Sequence, residues 1–206
     1  QQAQASGRVT TASSGALNTA FGLTNTAGAP ANLTITGGNN QTAVINTAFA
    51  SALSVNLTDS YGNPAAGASV TFAPPGSGAS GSFSGGPTVT ADAAGDAVSS
   101  VFTANNTAGS YVVGVSSGAA SGSFNLNNDN PQPVLSSLNP TTVTAGTGAF
   151  TLNLTGSGFV PGMTVTWTGQ ADLTATVITA ASATVSVPAS YILLSGTPNI
   201  CLINPA

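Results

Sequence analysis

The stretch from residue 110 to residue 128, SYVVGVSSGAASGSFNLNN, decides how this chain folds. Tyr111, Val113 and Val115 alternate with small or polar residues, the SSGA that follows is turn chemistry, and Phe124 and Leu126 resume the alternation. Two period-two segments joined by a Gly-containing turn read as a β-hairpin. The same pattern occurs 103 residues earlier: SSGALNTAFGLTN, residues 13–25, matches SSGAASGSFNLNN, residues 116–128, without a gap. Val9 aligns with Val112, Gly15 with Gly118, Phe21 with Phe124, Leu23 with Leu126 and Asn25 with Asn128. A period near 100 residues is the length of one β-sandwich repeat, so residues 7–26 read as the last hairpin of such a repeat.

Outward from this hairpin the alternation continues. It takes in Leu33 and Ile35; Leu53, Val55 and Leu57; Val70 and Phe72; Phe150, Leu152 and Leu154; and Met163, Val165 and Trp167. Turn signals separate these segments: SYGNP at 60–64, PPGSG at 74–78, AAGDA at 93–97 and VPGM at 160–163. There Gly supplies positive φ and Pro fixes φ. No segment shows sustained helical spacing with caps. The expected fold is all-β, with two immunoglobulin-like sandwiches in tandem after an N-terminal strand or hairpin segment. A closed barrel is the alternative. The run NNDNPQP, 127–133, interrupts the alternation and marks the expected boundary. The expected division is 1–27 for the leading segment, 28–130 for the first sandwich and 131–206 for the second.

Composition narrows the function. The 206 residues include one Lys or Arg, five acids and no His; 3% are charged and 41% hydrophobic. Disordered chains show the opposite balance. With Arg8 as the only cation, the chain cannot neutralise a run of phosphates, so nucleic acid and anionic membrane are not expected partners. No stretch approaches the ~20 apolar residues of a membrane span. Nor does a cationic start followed by an apolar run mark an uncleaved signal peptide; in an exported protein the signal has been removed. Hydroxyl and amide side chains hydrate the surface, a composition usual in secreted and surface proteins.

Catalytic machinery is missing at the level of residue types. Without His, Lys or Glu, no Ser-His-Asp, Cys-His or Glu-based glycosidase arrangement can be assembled, and no enzyme is expected. Of the five acids, Asp59, Asp92 and Asp96 fall in turn-like stretches where Asp bonds its own backbone. Asp92 with Asp96, or Asp129 with its Asn neighbours, offers hard oxygen ligands to calcium but lacks the spacing of a known loop; Asp172 stands apart. No cofactor and no metal site is assigned. Cys201, the sole cysteine, sits amid apolar residues in NICLIN and is expected to be a buried, inert thiol. Five Asn-x-Ser/Thr triplets, at Asn32, Asn40, Asn56, Asn105 and Asn153, are candidate sugar acceptors. Asn32, Asn56 and Asn153 alternate with inward residues and should face out. Trp167, Tyr61 and Tyr191 are candidates for a sugar-stacking platform, with Trp167 more naturally a core residue.

Residues 28–128 resemble bacterial Ig-like domains of the invasin and intimin group. The likeness is carried by NTAFASALSVNLTDSYGNPAAGASVTFAPPGSGASGSFSGG at 46–86 and TADAAGDAVSSVFTANNTAGSYVVGVSSG at 90–118. Residues 133–206 resemble a second immunoglobulin-like type, the IPT/TIG domain, through PVLSSLNPTTVTAGTGAFTLNLTGSGFVPGMTVTWTG at 133–169 and ATVSVPASYI at 183–192. Domains of that type continue after an Asn-Pro like Asn204–Pro205 with a loop and one more strand, which implies a second sandwich short of its last strand.

A hairpin without its sandwich at one end and a sandwich short of a strand at the other can complement each other between copies. An open sheet edge invites a strand from another chain. The expectation is a structural subunit of an extracellular filament or bacterial surface fibre, polymerising head-to-tail with itself by donor-strand complementation. The donor strand is Ala20, Phe21, Gly22, Leu23, Thr24 and Asn25; the acceptor edge is Ile200, Cys201, Leu202, Ile203 and Asn204. The competing expectation is a piece of a longer secreted repeat protein, serving as an adhesive or carbohydrate-associated module with a glycan or host-surface ligand.

Overall fold

A computed structural model describes residues 8–14, 17–23 and 26–205. It is all-β apart from one 3₁₀ turn, Ala189–Ile192. The chain forms two compact units, one of residues 1–42, 48–104 and 110–127, the other of 43–47, 105–109 and 128–206.

The leading segment is a hairpin of β1 (Arg8–Ser14) and β2 (Leu17–Leu23), antiparallel from Arg8 opposite Leu23 to Ser14 opposite Leu17. Next come β3 (Asn32–Gly37), β4 (Gln41–Val44), β5 (Ser54–Thr58), β6 (Ser69–Ala73), β7 (Gly81–Phe83), β8 (Thr88–Thr90), β9 (Asp96–Val98), β10 (Phe102–Ala104), β11 (Gly109–Ser117) and β12 (Ala120–Asp129). A five-stranded sheet in the order β4-β12-β11-β6-β8 and a three-stranded sheet in the order β3-β5-β9 make the first sandwich, with β7 and β10 as a further pair. Its core comes from the alternation read in the sequence: Leu53, Val55, Leu57, Val70, Phe72, Val113 and Phe124 are all buried. Five phenyl rings run through it in contact, Phe49 to Phe102 to Phe83 to Phe72 to Phe124, with centroids 4.4–6.0 Å apart, the range in which aromatic pairs attract beyond simple area burial.

Two Asp-x-x-Gly-x loops, at 59–63 and 92–96, fix neighbouring turns of this sandwich, with Leu57 N donating to Gly95 O between them. Asp59 is buried, and its carboxylate accepts from Tyr61 N (2.8 Å), Asn63 N (2.9 Å), Asn63 Nδ2 (3.0 Å) and Gly28 N (3.0 Å). The Asn63 amide, with the Gly28, Asn63 and Tyr61 backbone donors, holds this carboxyl well below the usual carboxylate range, outweighing burial. Asp92 repeats the loop on a smaller scale, accepting from Ala94 N and Asp96 N. The Tyr111 phenol is pushed up to about 12 by burial.

The stretch Asn127–Asp129, at the start of the expected boundary run, finishes β12. Asn128 is buried because its amide donates to Asn105 Oδ1 and Thr107 O, so a polar residue holds an inward position without an unmet hydrogen bond.

The second sandwich contains β13 (Val134–Asn139), β14 (Phe150–Ser157), β15 (Thr164–Trp167), β16 (Leu173–Thr174), β17 (Thr176–Thr179), β18 (Ser182–Val187) and β19 (Ile200–Ile203). The orders are β13-β14-β18-β17 in one sheet and β16-β15-β19 in the other. Leu152, Leu154, Met163, Val165, Val185 and Val187 fill the space between them. The run Gly156-Ser157-Gly158-Phe159, which ends β14, needs its two glycines for steric reasons. A Cβ on Gly156 would strike the Val134 carbonyl and stand 2.7 Å from the Phe159 ring, while Gly158 has φ of 72°.

Candidate functional site, an open sheet edge

In β19, Ile200, Cys201, Leu202 and Ile203 pair with Trp167, Thr166, Val165 and Thr164 of β15. Among the described residues no strand covers its other edge. The corresponding strand of the first sandwich, β11, lies between β6 and β12, and β12 is covered in turn by β4. The correspondence shows in sequence too, since Val70-Thr71-Phe72 of β6 has its counterpart in Val165-Thr166-Trp167 of β15.

A groove of about 710 Å³ opens at the Ile200 end of this strand, between the 138–145 and 194–200 stretches, and Phe150, Leu152 and Trp167 contribute to its lining. Its polar lining residues are uncharged. Leu194 is 87% exposed on its margin, and Leu193 next to it and Ile203 of β19 are also exposed. The sequence reading missed this rim, although the apolar YILL run at 191–194 directly after a strand was its signal. Unpaired backbone groups beside apolar surface are what β-strand addition uses.

Two expectations about the acceptor residues change. Cys201 is exposed rather than buried: Ile200 and Leu202 are the half-buried positions of β19, so the residue between them faces away from the core. Asn204 lies just beyond β19 and acts as an anchor. Its Nδ2 donates to Pro131 O and Gly158 O, both at 2.6 Å, and its Oδ1 accepts from Val160 N at 3.4 Å.

On the donor side, Ala20, Phe21, Gly22 and Leu23 lie in β2 opposite Thr11, Thr10, Val9 and Arg8. Thr24 and Asn25 lie outside the described residues. The donor is therefore one strand of a hairpin, already paired along one edge.

The remaining candidates have structural partners. Asn32 Nδ2 donates to Thr58 Oγ1 and Asp59 O, Asn56 Nδ2 to Ala94 O and Asp96 Oδ1, and Asn153 Nδ2 to Asn139 O. Asn105 Oδ1 accepts from Asn128 Nδ2 and Thr107 N. Asn40 is exposed in a left-handed turn with φ of 55°. Among the described residues no three His, Cys, Asp or Glu side chains cluster as a metal site would require. Tyr61 is exposed in the first unit, whereas Trp167 is buried in the second and meets Tyr191 edge-on at 6.0 Å.

No family model and no curated protein matches this chain. Among solved structures it is similar to invasin, a bacterial integrin-binding protein, at 20% identity and a TM-score of 0.48 over 82% of this chain and 35% of that one. The Escherichia coli adhesin FdeC gives 18% and 0.46, over 82% of this chain and 60% of that one. Domains 4–9 of the surface layer protein SbsC give 14% and 0.38, over 86% and 30%. The chain thus spans about a third of invasin and three-fifths of the FdeC structure.

Proposed function

We propose that this chain is a non-enzymatic structural subunit of an extracellular filament or bacterial surface fibre. It polymerises head-to-tail as β2 of one copy adds to β19 of the next. The observation that carries this reading is the β19 edge, uncovered among the described residues and met at Ile200 by an apolar groove, in a sandwich whose neighbour in the chain has the corresponding edge covered twice over. Residues 133–206 are then an IPT/TIG-type sandwich whose last strand arrives from another molecule. A two-stranded hairpin alone is marginal in water, so docking would stabilise both partners. The contact is heterologous, and an open filament results when its rotation does not close a ring. Light scattering across a dilution series and negative-stain imaging of the full chain test the reading. Concentration-dependent oligomers and uniform fibres are expected; a monomer at every concentration would overturn it.

A second reading is favoured by the hairpin's own register. Arg8–Ser14 and Leu17–Leu23, moved 103 residues on, fall on 111–117 and 120–126, inside β11 and β12. On this reading the hairpin ends a preceding repeat of a longer surface protein, and the pair of sandwiches is an adhesive module with a glycan or host-surface ligand. Glycan-array binding by a monomer supports it, and array silence combined with self-assembly counts against it.

A further inference from the structure

The hairpin strands differ in what they could bury. In the first sandwich, the inward residues of β11 are Tyr111, Val113, Val115 and Ser117, and those of β12 include Ala120, Phe124 and Leu126. At the offset of 103, β2 keeps an apolar set at these positions: Leu17, Phe21 and Leu23. At the matching positions β1 has Arg8, Thr10, Ala12 and Ser14. A strand meant for a sandwich interior would not carry the chain's sole cation where β11 has Tyr111, nor Thr10 where β11 has the buried Val113. One strand of the hairpin is made for a core, and the other is not.

The first sandwich also indicates where the core-like strand goes. Phe124 of β12 packs against Phe72 of β6 with ring centroids 6.0 Å apart. Matching Val165-Thr166-Trp167 of β15 to Val70-Thr71-Phe72 of β6 pairs Trp167 with Phe72, and Trp167 lines the open groove. The groove lining is uncharged, as is the segment 17–25, so the two match in charge and in apolar character. Resting on the head-to-tail reading above, we infer that Phe21 of a second copy seats against Trp167 in the groove and sets the register of the added strand, while β1 stays at the surface.

Two native residues make this testable in the full chain. Cys201 is the only thiol, exposed on the outward face of β19, and Trp167 is the only tryptophan. Ala20 and Gly22 alternate with Phe21 and Leu23, so single Ala20→Cys and Gly22→Cys variants present a second thiol on the same outward face as Cys201. Cross-strand neighbours come close enough for a disulfide. Under mild oxidation these variants should form ladders of interchain cross-links on non-reducing gels, and Phe21→Cys should not. In wild type, Trp167 emission should move to shorter wavelength as concentration rises. Phe21→Ala should abolish that shift and weaken self-association roughly ten- to a hundredfold, with Phe21→Leu restoring part of it. Cross-linking by Ala20→Cys or Gly22→Cys with a Trp167 shift that ignores Phe21→Ala overturns the Phe21 seat and leaves strand addition standing. No interchain cross-link in either variant, or cross-links only within one chain, overturns both.

Discussion

The two sandwiches treat the same strand position differently. In the first, β11 has β6 on one side and β12 on the other, and Phe124 and Leu126 of β12 complete the core. In the second, β19 has β15 alone among the described residues, and a groove opens at its Ile200 end. Among the described residues, then, two related sandwiches differ in that one has this position covered by a strand of its own and the other has it uncovered.

The largest expected effect comes from making the closed sandwich resemble the open one. Phe124→Ala removes a fully buried ring that touches Phe72, and should cost about 3–5 kcal/mol in urea unfolding of the first sandwich. Gly156→Ala acts on the other side of the comparison: with no room for a methyl group beside the Val134 carbonyl and Phe159, it should lower the stability of the second sandwich by about 1–3 kcal/mol. Asn204→Ala removes three side-chain hydrogen bonds at the end of β19 and should cost about 1–3 kcal/mol. Hydrogen exchange of the Ile200–Ile203 amides should quicken in that variant, while β11 keeps its protection.

Acid should also separate the sandwiches. Asp59 has a depressed pKa when folded, so its contribution is fully present above the unfolded value near 4 and is lost as pH falls below it. Residues 131–206 carry one acidic side chain, Asp172, and no such clamp. Acid titration at fixed urea should therefore weaken the first sandwich before the second, and Asp59→Asn should flatten that dependence. The smallest stability effect is expected from Ile203→Lys, within about 0.5 kcal/mol because the side chain is half exposed. A charge on the open edge should nonetheless suppress fibre formation, as edge lysines do in natural sheets.

Much of the fold was legible because each strand buries one face, so Leu53, Val55 and Leu57 or Leu152 and Leu154 announce themselves by alternation. The positive-φ turn at Gly158 was readable for the same local reason. What escaped depended on partners distant in sequence. The burial of Asn128 was not legible because its partners, Asn105 and Thr107, lie some twenty residues away. Cys201 looked buried because its neighbours are apolar, yet on a strand the neighbours of an outward residue are the inward ones. The open edge was inferred from a family pattern, but the groove and its leucine rim follow from how the 138–145 and 194–200 stretches pass each other, which no local pattern encodes.

The anchor at Asn204 bears on how load would travel. Asn204 donates to Pro131 O, and Asn130 Nδ2 donates to Pro205 O at 3.0 Å, so the chain leaves the second sandwich at the place where it came in. Tension applied between residues 130 and 205 would meet this two-bond clasp before it reached the strand pairs, and the sandwich would hang beside the line of pull. Once the clasp gave way, the strain would fall on β19. Pulling experiments should then register a small early rupture ahead of the main unfolding event, which Asn204→Ala should weaken and Asn204→Ala with Asn130→Ala should erase.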